Sequence, residues 1–170
     1  LVELLGAPQT ITIEKGFPAV STHSLTREDD SWKLTSPITW PAAEYTVSRL
    51  IGRLRHIEVR RLFSIDEIKA EGETLADYGL DQPFLTIVVE SLAGKVSLAF
   101  GAPTRDGREN YLLPTLPEGK KNEIWAANNS LLNAANLSTT EWMKPEFLRF
   151  PVYEIRAFGV RLTRGETLTK

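Results

Sequence analysis

An α+β fold is predicted for this chain of 170 residues, as two tandem βββα-type repeats whose antiparallel sheets carry helices packed on one face. Three observations predict it. Segments with apolar residues at period two, such as Thr10-Ile11-Thr12-Ile13-Glu14 and Ser31-Trp32-Lys33-Leu34-Thr35, recur along the chain. One segment changes period: Ala43, Val47, Leu50, Ile51, Leu54 and Ile57 trace one face of a helix. The order strand, strand, strand, helix, exit strand then occurs twice. Ile11-Thr12-Ile13 answers Leu85-Thr86-Ile87, and Trp32-Lys33-Leu34 answers Ile124-Trp125-Ala126. A sheet with one apolar face must bury that face, and the helices supply the cover.

The first strand, Thr10–Glu14, is ended by Gly16-Phe17-Pro18. A second, Val20–Thr26, turns through Arg27–Ser31 into a third, Ser31–Thr35, which Pro37 stops. Pro41 is tolerated in a first helical turn, so the long helix is placed over Ala42–Ile57. Val59–Phe63 continues as an extended segment. Ser64-Ile65-Asp66-Glu67 has capping-box spacing and predicts a short helix, Ile65–Ala70. Thr74 caps a further turn that Gly79 can close in the left-handed conformation. Phe84–Glu90 and Lys95–Phe100 form a hairpin around Ala93-Gly94. Asn110–Pro114 and Glu123–Ala127 are two more strands. Asn128 or Asn129 caps a helix through Leu137, and Ser138 caps one more turn. Val152–Phe158 and Val160–Thr163 read as a last hairpin. The resulting division is 1–80 for the first repeat with linker helices, 81–150 for the second, and 151–170 for a truncated third repeat or closing hairpin.

Hydrophobic residues at 42% and charged residues at 25% are ordinary for a globular chain, which excludes disorder, collagen and coiled coil. A net charge of −2 gives no whole-surface field for nucleic acid or anionic lipid. With no Cys and 2 His, disulfides, thiol nucleophiles, Cys-based zinc sites and multi-His metal sites are all excluded. No apolar run approaches the ~20 residues that span a bilayer. The start at Leu1 and the polar stop at Thr163–Lys170 read as an excised piece of a longer protein.

Local signatures of chemistry are missing: there is no GxGxxG, no P-loop and no nucleophile elbow. Trp32 and Trp125 are either aromatic platforms for a sugar or core fillers between sheet and helix, and aromatic area favours the core. Trp40 can staple the first turn of the long helix. Trp142, in a capped turn, is the tryptophan expected to be exposed. His23 and His56 lack partners at ligand spacing and are read as surface or strand-edge residues. Asp29-Asp30 lack the register of a calcium loop and suit a turn. Arg49, Arg53, Arg55, Arg60 and Arg61 form a local basic cluster around the long helix. It lacks interleaved aromatics, so a solvated helix face with cations toward its C-terminus is the simpler account.

The chain resembles the bacterial domain of unknown function 4340 family. Trp32-Lys33-Leu34 followed by Pro37, the helix Ala42–Leu54, and Leu75-Ala76-Asp77-Tyr78-Gly79-Leu80-Asp81-Gln82-Pro83 carry the resemblance. So do Gly101, Tyr111, the segment Leu137–Phe150 and Val152-Tyr153-Glu154-Ile155. The Tyr-Gly-Leu-Asp-x-Pro run before a hairpin ending in glycine is its most specific part. The resemblance implies no established activity. It implies an N-terminal membrane anchor, repeats projecting outside the cytoplasm, and genes beside ABC-transporter components of the gliding-motility type.

The expected function is accordingly non-enzymatic: an extracytoplasmic scaffold or interaction domain with a protein partner in a membrane transport complex. No catalytic, cofactor or metal residues and no nucleic acid are expected, and Trp142, Arg49, Arg53 and Arg60 are the candidate interaction surface. A carbohydrate- or cell-surface-polymer-binding module is the first alternative. A hydrolase using scattered carboxylates is the second.

Overall fold

A computed structural model describes residues 7–16, 20–116 and 123–145. Strands β1 (Pro8–Lys15), β2 (Ser21–Glu28), β3 (Ser31–Ser36) and β4 (Trp40–Pro41) lead into helix α1 (Glu44–Arg55). Strand β5 (Val59–Ser64), helix α2 (Ile65–Ala70) and a 3₁₀ turn at Leu75–Tyr78 follow. Then come β6 (Leu85–Ser91), β7 (Gly94–Pro103), β8 (Glu109–Thr115), β9 (Glu123–Asn128), α3 (Ser130–Ala135) and α4 (Thr139–Trp142).

The strands of the described residues form one sheet of nine, in the order β4-β3-β2-β1-β6-β7-β8-β9-β5. Every pairing in it is antiparallel. This corrects the expectation of two tandem βββα repeats. The first strands of the two supposed units, β1 and β6, pair with each other, with Ile11 opposite Val89 and Ile13 opposite Ile87. The exit strand β5 crosses to the far edge and pairs with β9. The physical reason lies in strand edges. Both β1 and β6 carry apolar residues on the same face, so joining them satisfies two rows of backbone groups and buries one continuous apolar surface. Element order along the chain does not reveal which edges meet.

Helices α1, α3 and α4 cover one face of the sheet. Val47, Leu50 and Leu54 of α1 pack with Ile11, Ile13, Leu25, Leu34, Ile87, Leu98 and Phe100, and with Leu131 and Trp142. The expectation that helices lie on one face is also corrected. Helix α2 and the 3₁₀ turn bury a second cluster of Ile68, Tyr78, Leu80 and Ile124. Tyr111 and Leu113 join that second cluster, whereas Leu112 between them belongs to the first. Period-two alternation therefore places the two clusters on opposite faces of β8. Elsewhere the second face is lined by Thr10, Thr12, Ser24, Thr26 and Thr86, partly exposed hydroxyl residues of the kind a solvated antiparallel sheet presents.

Most predicted elements form within a residue or two of their predicted ends, and α2 spans the predicted Ile65–Ala70. Pro41, read as sitting where the long helix can start, lies instead with Trp40 in a short strand on β3, and the helix begins at Glu44. Glu44 Oε1 accepts a hydrogen bond from the Trp32 N–H at 3.0 Å, tying the first turn of α1 to β3. The predicted hairpin at 152–163 lies outside the described residues.

Candidate basic groove and open sheet edge

Helix α1 is amphipathic, with Val47, Leu50 and Leu54 buried and Arg49 and Arg53 on the solvent side. Positions four apart stack on one helical face, so the two guanidinium groups are neighbours. Helix α3 packs beside α1. Arg49, Arg53, Ser130, Asn133 and Ala134 line a shallow groove of ≈ 280 Å³ between the two helices. Ion pairs join Arg27 to Asp30, Lys33 to Glu28, Arg61 to Glu109 and Lys95 to Glu90. Arg49, Arg53 and Arg60 take part in none of them. Arg49 is close enough to Glu141 to help hold that carboxyl low, after the Ser138 N–H and hydroxyl that bond it directly and the Lys15 ammonium.

The structure divides the predicted cluster. Arg60 stands away from this groove, on β5, among residues lining the sheet edge and a small depression with Arg108 and Asn128. Arg61 is engaged: its guanidinium bonds Glu109 at 3.1 Å and lies 5.9 Å from the Phe63 ring centroid. Trp142 is a correction. It is 0% exposed, the largest fully buried side chain, because α4 turns its apolar side into the main core. Trp32 is also core, and Trp125 packs partly buried against it. Trp40 donates its Nε1 hydrogen to the Lys144 carbonyl at 3.1 Å.

His23 is a second correction. Instead of lying at a surface or strand edge, it is 2% exposed, on the core-facing side of β2. Its Nε2 hydrogen-bonds Thr139 Oγ1 at 3.0 Å, while Nδ1 has no partner among the described residues. Nearby, Lys15 donates to the Leu137 carbonyl at 2.7 Å. Burial pushes the His23 imidazole pKa down, and the Lys15 charge adds to the shift. Burial likewise lowers Lys15, opposed by Glu141. His56 is exposed at the end of α1.

The carboxylates held below their ordinary range are explained by local turns. Asp77 accepts from the Thr74 N–H and hydroxyl, Asp106 from the Thr104 hydroxyl and the Arg108 N–H, and Glu141 from Ser138. Two of these are the capping boxes of the 3₁₀ turn and of α4. Asp29 occupies the β2–β3 turn with φ 52°. Among the described residues no group of three or more His, Asp or Glu is placed to hold a metal ion. Among them, too, no helix is long and apolar enough to cross a membrane.

The Tyr78-Gly79-Leu80 run and Gly101 meet in space. Gly79 closes the 3₁₀ turn at φ 65°. A Cβ on Gly101 would lie 2.3 Å from the Tyr78 carbonyl oxygen, and one on Gly79 would lie 2.7 Å from the Ala102 nitrogen. Both positions need glycine because β7 and the turn cross backbone to backbone. Tyr78 donates its hydroxyl to the Glu73 carboxylate, which pushes the phenol up to about 12. Its ring packs edge-on against Tyr111 at 4.8 Å between centroids.

No curated protein and no solved structure matches the chain. The model of the family described as domain of unknown function DUF4340 matches residues 32–169, so the chain belongs to that family.

Proposed function

We propose that this member of the DUF4340 family is a non-enzymatic interaction domain outside the cytoplasm, serving an ABC-type membrane transport assembly. The groove between α1 and α3 receives an acidic segment of its protein partner. The observation that carries the reading is the Arg49–Arg53 pair. Two cations one helical turn apart, in no ion pair among the described residues and beside Ser130 and Asn133, form a ready site for carboxylates. The transport context rests on the implied gene neighbourhood and supplies the partner class to test.

The experiment is co-precipitation of the chain with ABC-transporter components from the same genome, compared with an Arg49→Glu/Arg53→Glu variant. Both positions are solvent-facing, so the variant keeps its fold. Capture by the parent chain that the variant loses supports the reading. Absence of capture counts against it. So does turnover of a glycan or peptide substrate that disappears on replacing one Asp or Glu.

A further inference from the structure

We propose that residues 137–144 form an acid-released strap: protonation of His23 lifts α4 and Trp142 from the sheet while β1 and β2 stay paired. The strap acts whether or not the α1–α3 groove binds a partner.

The strap lies against the core-facing side of the sheet and is tied down at points. On one side Lys15 of β1 donates to the Leu137 carbonyl at 2.7 Å, and His23 of β2 meets Thr139 Oγ1 at 3.0 Å. On the other side the Ala43 N–H donates to the Trp142 carbonyl and the Lys144 N–H to the Pro41 carbonyl, each at 2.8 Å. Ala42 and Met143 form an isolated bridge there. Between the two sides the Trp142 ring fills the main core. Its Nε1 has no hydrogen-bond partner among the described residues, so packing holds the ring. A strand is joined to its neighbours along its whole length, whereas this segment can part from the sheet by itself.

Of these ties, the His23 contact is the one that titrates under mildly acidic conditions. Protonation puts a hydrogen on both ring nitrogens, and Nδ1 has no acceptor among the described residues. The surroundings do not supply one. From β1 comes the Lys15 ammonium, on the same face as Ile13, the residue opposite His23. From α4 come Thr139 and Glu141, whose carboxylate is taken by the Ser138 N–H and hydroxyl. From α1 comes Arg49, close to Glu141. On β3 the residues opposite Ser24 and Leu25 are Ser36 and Leu34, neither of which titrates. Burial and the Lys15 charge both hold the ring neutral while the strap is closed. A charged ring must therefore reach water, and one side of the contact has to yield. β2 is paired with β1 and with β3, so His23 cannot leave without breaking two ladders. α4 is a single turn, so Thr139 and the strap move instead. Their release bares Trp142 and the core beneath it.

Residue-resolved amide hydrogen exchange of the 170-residue chain, from neutral to mildly acidic pH and corrected for the intrinsic effect of pH, tests the proposal. The Glu141, Met143 and Lys144 amides report the strap, and those of β6 and β7 report the sheet. The strap amides should exchange faster than the sheet amides at every pH. Their opening equilibrium should rise about tenfold for each pH unit below the ordinary imidazole value of 6.5, until the lowered value in the closed strap is reached. His23→Gln, which can still bond Thr139 but takes up no proton, should leave strap opening independent of pH. Lys15→Gln keeps a donor for the Leu137 carbonyl and removes the charge, so the acid response should shrink without vanishing, because burial remains. Circular dichroism verifies that each variant is folded. Strap amides as slow as those of β6 and β7 would show that the segment leaves only with the whole sheet, which overturns the proposal. So does strap opening in the parent chain that does not change with pH, or an acid response that neither variant diminishes.

Discussion

His23 stands on β2 beneath α4, 2% exposed, with its Nε2 bonded to Thr139. An imidazole in that place is kept neutral first by the loss of hydration and then by the Lys15 charge. Its folded pKa lies below the ordinary 6.5, so the unfolded chain takes up a proton first as the solution is acidified. The stability this group contributes is present above pH 6.5 and is lost as pH falls through the folded value. Denaturant unfolding at a series of pH values from neutral to mildly acidic should show that loss, and His23→Gln should flatten it. Parallel profiles for the two proteins would show that other groups carry the acid sensitivity. Trp142 makes the complementary point at the same scale. A capped single turn looks exposed in a sequence, yet Trp142, in the turn that Ser138 and Glu141 cap, is fully buried in the main core.

At the scale of elements, α1 shows how a periodic pattern converts into stability. Its buried residues Val47, Leu50 and Leu54 lie on the stripe read from the sequence, and Leu50 is 0% exposed. Leu50→Ala should therefore cost roughly 2–5 kcal/mol of unfolding free energy, as truncations of packed leucines do. A loss below about 0.5 kcal/mol, the range of surface substitutions, would mean that the helix face is misassigned. Helix α2 teaches a different lesson. It forms over the predicted span, but Ser64 makes no side-chain capping bond. Ile68, buried in the second cluster, holds it in place. Short helices are held chiefly by tertiary packing, and this one follows that rule.

For the molecule as a whole, the join between β1 and β6 decides the architecture. Those strands have partners on both sides, and Ile11, Ile13, Leu85, Ile87 and Val89 are at most 1% exposed. Opening there requires breaking the whole sheet, whereas the end strands can fray alone. Amide hydrogen exchange at low protein concentration should accordingly find β1, β6 and β7 the slowest and β4 the fastest of the strands. Equal protection of β4 and β1 would contradict a sheet with this strand order. The two faces of the sheet are also unlike. Among the described residues, one is covered by α1, α3 and α4, and the other near β8, β9 and β5.

Strand and helix positions were legible because they rest on local physics. Alternation marked β1 through β3 and β6 through β9, and the 3.6 period marked α1. Capping chemistry marked the turn at Thr74 and the one at Ser138. The basic character around α1 was legible for the same reason, since Arg49 and Arg53 are set by helical spacing alone. Trp40-Pro41 misled because proline suits both the first turn of a helix and an edge strand, and only the bridge to Leu34 distinguishes them. What the tertiary structure decided is everything that depends on which edges and faces meet. It fused two apparent repeats into one sheet, sent β5 to the far edge and buried Trp142 and His23. It also separated Arg60 from Arg49 and Arg53, and brought Gly79 and Gly101 to one backbone crossing. Period and cap chemistry act over a few residues, so a single sequence displays them directly. Strand pairing and burial are set by contacts between positions far apart in the chain, such as β1 with β6 and β5 with β9, and those contacts exist only once the sheet has closed.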